Sequence, residues 1–172
     1  MDFFEVVNKR CSYRGEFELT EIPEADLNKI LEAGIKAPSG KNGQTTYFLV
    51  VTDSDLLRGL NDIFPHKGIS TAPAIIVVLS TYKEVYQDTA FELQDYSAAV
   101  ENMLLAVTAL GYATVWTDGE TKGSGRQEKI TRLLNIPGNY TVQALLPIGI
   151  PVTDGKQAPK MPMQQRVFYN KF

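Results

Sequence analysis

The chain has 172 residues, 44% of them hydrophobic and 22% charged, an ordinary globular composition that one domain over 1–172 accommodates with a core of useful size. A net charge of −3 argues against a broad nucleic-acid footprint, and one cysteine with one histidine excludes an internal disulfide and all but excludes a Cys/His zinc site. No apolar stretch approaches the ~20 residues that span a bilayer, and the opening MDFFEVVNKR does not read as a signal peptide, so a cytoplasmic protein is expected.

FFEVVNKR (3–10) reads as a short helix with Phe3, Val6 and Val7 on one face. RCSYR comes next. Its Arg10, Ser12 and Arg14 admit two readings: ordinary basicity complementing a helix end, or a phosphate site in which two guanidiniums and a hydroxyl bind a dianion. EIPEADLNKILEAGIKA predicts a stronger helix. Pro23 sits in its first turn, Glu24 and Asp26 suit its positive start, and Leu27, Ile30, Leu31 and Gly34 share a face. Pro38 stops it and opens APSGKNGQTT (37–46). That stretch is either a turn or a polar surface. Ser39, Asn42 and Gln44 can donate and accept, and Gly40 and Gly43 let a planar polar ligand approach the backbone.

YFLVVT (47–52) reads as a buried strand, DSDLLRGLNDIF as a helix capped by Asp53 or Ser54, and 74–80 as a second strand. Tyr96, Val100, Met103, Val107 and Leu110 recur at alternating steps of four and three, the core face of a helix of about five turns. YATVW is a third strand. The TDGETKGSG that follows imitates a dinucleotide loop with the wrong glycine spacing and no acid at the ribose position, although a sharp turn beside a ligand at Trp116–Gly119 stays open. GRQEKITRLL predicts a helix, and TVQALLPIGI (141–150) a fourth strand interrupted by Pro147. His66 has no partners at useful spacing and reads as a surface or capping residue. The layout opens on helices and so lacks the leading strand and phosphate loop of a Rossmann fold. It fits an α+β or α/β sandwich around a small sheet.

Taken in order, these segments resemble the nitroreductase family of FMN-dependent NAD(P)H oxidoreductases. The resemblance rests on RCSYR at 10–14, on Ala37, Pro38, Ser39, Asn42 and Gln44, on NMLLAVTALGYATVWTDG, on LPIGIP, and on Lys160 before Met-Pro in the tail. It implies an α-β-α sandwich of α+β class, with a central, mainly antiparallel sheet and a C-terminal tail exchanged with the partner subunit. It implies FMN as cofactor, NADH or NADPH as reductant, and a homodimer with two FMN at its interface. Arg10, Ser12 and Arg14 would hold the phosphate and ribityl chain, with Cys11 beside them where the family more often has a basic residue, and Lys160 would add to the phosphate site. Pro38, Ser39, Gly40, Asn42 and Gln44 would line the isoalloxazine from the other subunit. Trp116 and Thr117 would lead into Asp118 and Gly119, whose backbone N–H groups would lie near flavin N5 and O4. In this family the flavin carries the hydride, so no general acid or base is nominated. A nitroaromatic or quinone is the expected acceptor. Flavin binding without turnover for redox sensing, or dehalogenation on the same scaffold, are the alternatives. The family's Pro-Trp after Gln is replaced by Thr45 and Thr46. The segment between Leu79 and Tyr96 is short, which implies an open or partner-built pocket.

Overall fold

Two segments carry apolar side chains at nearly every position, AIIVVLS and TVQALLPIG, and such runs suit strands covered on both faces. In the computed structural model, which describes residues 1–172, they are the central strands β2 (Ala74–Ser80) and β6 (Thr141–Gly149). β1 (Thr46–Val51) and β5 (Ala113–Thr114) flank them in the order β1-β2-β6-β5, and every pair is antiparallel.

Strand alternation separates two cores. Ile75, Val77 and Leu79 meet Leu60, Phe64, Ile69 and Ile130 from the layer of α3 (Ser54–Ile63), α4 (Lys67–Thr71) and α7 (Arg126–Leu133). Ile76 and Val78 face α2 (Glu24–Ile35) and α5 (Glu92–Ala109), packing with Leu27, Ile30, Val100, Met103 and Val107. On β6 the phase changes at Gln143. Val142 shares the face of Leu145, the register slips between Val78 and Leu79, and the Gln143 side chain donates to Ser80 Oγ at 2.8 Å. This is a β-bulge, the one-residue insertion that resets which side chains face each core.

Pro147 does not interrupt β6, contrary to expectation. Leu145 sends its N–H to Thr117 Oγ1, away from β2, and period two gives position 147 the same orientation. The N–H that proline lacks is therefore not one the β2 ladder uses.

One further expectation, the burial of β1, needs correction, and two segments gain detail. α1 (Phe3–Lys9) buries Val6 alone, while Phe3 and Phe4 are 63% and 74% exposed. β1 is an edge strand with only Val51 buried, since no strand pairs with its outer side. The short segment after Leu79 is a hairpin, β3 (Glu84–Tyr86) and β4 (Thr89–Ala90), turning through Gln87 and Asp88 at φ 46° and 58°. Left-handed geometry at both turn residues matches strand twist, but Gln-Asp lacks the glycine that advertises such a turn. α4 and α6 (Asp118–Lys122) are too short to show helical periodicity. Residues 152–172 are exposed throughout, and no helix is long and apolar enough to cross a membrane.

α2 and α5 approach closely at Gly34, where a Cβ would lie 2.8 Å from both Met103 Sδ and Phe48 Cζ. Gly34→Val overfills this contact. It is expected to lower the urea midpoint by about 1–3 kcal/mol of stability at unchanged m; an unchanged midpoint contradicts this packing.

Candidate functional site

The stretch 37–46 is a built loop rather than a bare turn. Ser39 Oγ accepts from Gln44 N–H at 3.1 Å, and a short helical turn covers Gly40–Asn42. Lys41, Asn42 and Gln44 all sit at positive φ, 49°, 55° and 51°. Asparagine tolerates this region, whereas lysine and glutamine are strained there and need surrounding contacts to hold them. Those contacts come from α5 and the hairpin. The Asp95 carboxylate, 4% exposed, accepts from Gly40 N–H at 2.8 Å and from the Thr45 hydroxyl at 2.6 Å. Lys41 Nζ lies 4.6 Å from the Tyr86 ring centroid, a cation–π contact. Gly40 is required by packing and not by ligand approach, since a Cβ there would lie 2.6 Å from the Phe91 ring. Asn42 and Gln44 remain exposed. A pocket of about 270 Å³ opens on this loop, lined by Pro38, Ser39, Gln44, Thr46, Tyr47 and Ala99 among others. The Thr46 hydroxyl is buried without a partner.

The RCSYR segment lies elsewhere. Arg10 is the C-cap of α1, and its Nε stands 3.5 Å from Glu101 Oε1 of α5, close enough for an ion pair but with no hydrogen bond. Both readings of Arg10 thus have a physical basis: it follows a helix end, and it keeps an unused donor. Ser12 and Arg14 are exposed, and Arg14 Nη1 donates to Ser12 O at 3.3 Å. Tyr13 between them is buried, and its N–H donates to Thr114 O, which fixes the segment against β5. Cys11 is half-buried against Gly155, where an added Cβ would collide with the Cys11 Sγ. The tail is pinned here too. Gln157 Nε2 donates to Val7 O at 3.2 Å and to Arg10 O at 2.9 Å, and Lys160 follows three residues later, exposed.

Arg14 shares a second pocket, of about 180 Å³, with His66 and the segment Val115–Glu120. His66 is the expected cap. Its Nδ1 accepts from Gly68 N–H at 3.1 Å, which leaves the ring proton on Nε2 in the neutral tautomer. The Thr117 hydroxyl turns away from the pocket and donates to Leu145 O at 2.8 Å, so only its backbone borders the cavity. The indole Nε1 of Trp116 is buried without a partner. The N–H groups of Asp118, Gly119 and Glu120 donate to nothing within the chain, and a Cβ on Gly119 would enter open space. A guanidinium and three free N–H groups therefore border one cavity, which suits a ligand that carries acceptors and negative charge.

Behind Asp118, two residues that the sequence did not single out for the site contact its side chain. Tyr96, 1% exposed, donates to Asp118 Oδ2 at 2.7 Å; Lys122 donates to Tyr96 Oη and to Asp118 Oδ1, each at 2.9 Å. Asp118 and Lys122 stand four apart on α6, so that pair was readable. Tyr96 belongs to the core face as expected, but its hydroxyl leaves the core. Burial first, and then the Asp118 carboxylate, raise its phenol above the usual range. For Lys122, burial alone would lower the ammonium; bonds to Tyr96 and Asp118 outweigh it and hold it above its usual value.

Both folded-state values exceed the unfolded ones, so this stabilisation is fully present below about pH 10 and is lost as pH rises through the raised values. The urea midpoint is expected to fall from about pH 9.5 to 11.5. The fall should be shallower in Tyr96→Phe, and identical slopes would contradict the assignment.

The comparisons with known proteins agree on one family. The chain matches the profile described as "Nitroreductase family" over residues 7–66 and 64–150. It is 30% identical over 151 residues to a Methanothermobacter thermautotrophicus protein named "Putative NADH dehydrogenase/NAD(P)H nitroreductase", covering 88% of this chain and 78% of that one. It is 24% identical over 178 residues to "FMN reductase [NAD(P)H]" of Bacillus subtilis, covering 93% of this chain and 71% of the relative. A crystal structure from Bacteroides thetaiotaomicron, carrying the same name as the first relative, superposes with a TM-score of 0.86 at 25% identity, over 99% of this chain and 98% of that one.

Proposed function

Since the chain belongs to the nitroreductase family, we propose that residues 1–172 act as one nitroreductase-like domain, an NAD(P)H-dependent FMN oxidoreductase whose acceptor is a small nitroaromatic or quinone. The observation that carries the site is the cavity where Arg14 meets the unpartnered N–H groups of Asp118 and Gly119. Bound FMN supplies the hydride chemistry, accepting from the nicotinamide and passing to the acceptor.

The chain's own residues bind and orient. Arg14, Ser12 and Arg10 would hold the phosphate and ribityl chain, and Cys11 would border them. Lys160 follows the Gln157 anchor and would add a point charge rather than a bidentate clamp. Asp118 and Gly119 would direct N–H groups at the flavin edge, where donors favour the negative charge of the reduced form. Trp116 would border the same edge with its free indole N–H.

Pro38, Ser39 and Gln44, in the loop that also carries Gly40 and Asn42, border a different cavity of the same chain from Arg14 and Asp118. This separation supports a homodimer in which each flavin takes its phosphate cradle from one subunit and its ring contacts from the other. Three features favour that assembly: the exposed face of α1, the unpaired edge of β1, and a tail that shows Val167, Phe168, Tyr169 and Phe172 to solvent. The tail would be exchanged onto the partner, where it buries apolar surface that its own chain leaves wet. The free thiol of Cys11 is compatible with a reducing compartment, and the cytoplasm is the location we propose.

The purified protein is expected to be yellow, and anaerobic NADH or NADPH should bleach it, with a quinone or nitroaromatic restoring the colour. Bound flavin that neither nicotinamide bleaches would instead favour a redox-sensing protein. Arg10→Ala should lower retained FMN at least tenfold more than Lys41→Ala, about 1.4 kcal/mol, as measured by flavin absorbance after gel filtration. Equal retention would remove Arg10 from the phosphate site.

A further inference from the structure

The triangle of Tyr96, Asp118 and Lys122 is a cluster that phosphate binding and ring contacts leave unused. Each of the three side chains contacts the other two. Tyr96 donates to Asp118 Oδ2 at 2.7 Å, Lys122 donates to Tyr96 Oη at 2.9 Å, and Lys122 reaches Asp118 Oδ1 at 2.9 Å. The lysine also lies 5.1 Å from the Tyr96 ring centroid. On its other side the same segment is locked to the sheet. Thr117 Oγ1 donates to Leu145 O and accepts from Leu145 N–H, and the Thr121 hydroxyl donates to Thr117 O. Residues 117–122 are thus held from two directions, by neutral bonds to β6 and by hydrogen bonds of Asp118 and Lys122 to the Tyr96 phenol of α5.

Beyond holding this segment, the α5-side triangle has a consequence for charge. Asp118 is the residue whose own N–H, with that of Gly119, borders the cavity. A carboxylate released at this position would find those N–H groups as its nearest free donors. It would occupy them and would place a full negative charge beside a ligand that gains negative charge on reduction. The triangle prevents both. It draws the carboxylate to Tyr96 and sets the Lys122 ammonium against it.

We propose that Tyr96 and Lys122 are positioning residues that hold and neutralise the Asp118 carboxylate so that the Asp118 and Gly119 N–H groups stay free, and that this sets how readily the bound flavin is reduced. The inference rests on the FMN reading above. The cation of Lys122 offsets the Asp118 charge, and Tyr96, buried at 1% exposure, fixes where the two meet. The requirement is for charge at one end and a hydroxyl at the other, so Lys122→Arg keeps the first and Tyr96→Phe removes the second.

The test is an anaerobic redox titration of FMN-loaded protein against a reference dye, with amide hydrogen exchange of 117–122 followed in flavin-free protein. Lys122→Met is expected to shift the oxidised-to-reduced equilibrium at least tenfold toward oxidised flavin, about 30 mV for a two-electron couple. Tyr96→Phe should shift it the same way by less, and Lys122→Arg should stay within threefold of wild type. Asp118→Asn combined with Lys122→Met removes both charges and should return the equilibrium to within threefold. A purely structural role would not give that recovery. Exchange at 118 and 119 should slow in flavin-free Lys122→Met as the released carboxylate takes their protons in hydrogen bonds. If Lys122→Met loses flavin, Tyr96→Phe and the exchange measurement decide. FMN-loaded Lys122→Met with a wild-type equilibrium, or a double variant no closer to wild type than the single one, overturns the clamp and leaves the FMN reading intact. Wild-type protein that holds no FMN overturns the functional reading itself, and unchanged exchange in flavin-free Lys122→Met overturns the clamp on its own.

Discussion

Two consecutive side chains of α5, Asp95 and Tyr96, hold the elements on which the candidate site depends. Asp95 secures the loop at 40–45 through Gly40 and Thr45, and Tyr96 secures the segment at 118–122 through Asp118 and Lys122. Both residues are buried, so their polar groups must be satisfied inside the protein, and each is satisfied only if a distant loop adopts one conformation. The rest of α5 supplies the rigidity. Val100, Met103 and Val107 are fully or almost fully buried against the sheet, so the helix cannot shift without opening the core. The polar start of α5 and its apolar remainder thus work as one part, which anchors at one end and positions at the other.

This arrangement explains how strained backbone persists at 41, 42 and 44. Left-handed lysine and glutamine cost free energy, and the loop has few internal bonds to offset it. The buried carboxylate of Asp95 and the hairpin above the loop supply what is missing, through the Gly40 N–H, the Phe91 ring and the Lys41–Tyr86 contact. The segment after Leu79, which the sequence presents only as short, is therefore the support of the rim. Its role was not legible because it rests on contacts with residues forty positions away and on a turn without glycine.

What the sequence did disclose follows the strength of local patterns. Continuous apolar runs gave the central strands, the four-three spacing gave α5, and Asp53 as cap gave α3. The fold class and the ordered family motifs were legible for the same reason. Burial of β1 was misjudged, because apolar residues on an exposed edge strand look the same as core residues. Of the site, Arg14, Trp116, Asp118 and Gly119 were readable and do share one cavity, while Arg10 turns toward Glu101 and Thr117 toward Leu145. Tyr96 and Asp95 escaped notice since each sits in a helix whose periodicity already accounted for it. An aspartate inside an apolar stripe was the available signal.

The proposed homodimer requires each flavin to be held by two chains, because Arg14 and the loop residues Pro38, Ser39 and Gln44 border separate cavities of one chain. The direct measurement is sedimentation velocity across a dilution series, detected at the flavin absorbance as well as at the protein absorbance. The account predicts that flavin sediments only with dimer and is released in step with dissociation. A monomer that sediments with a full complement of flavin would contradict it.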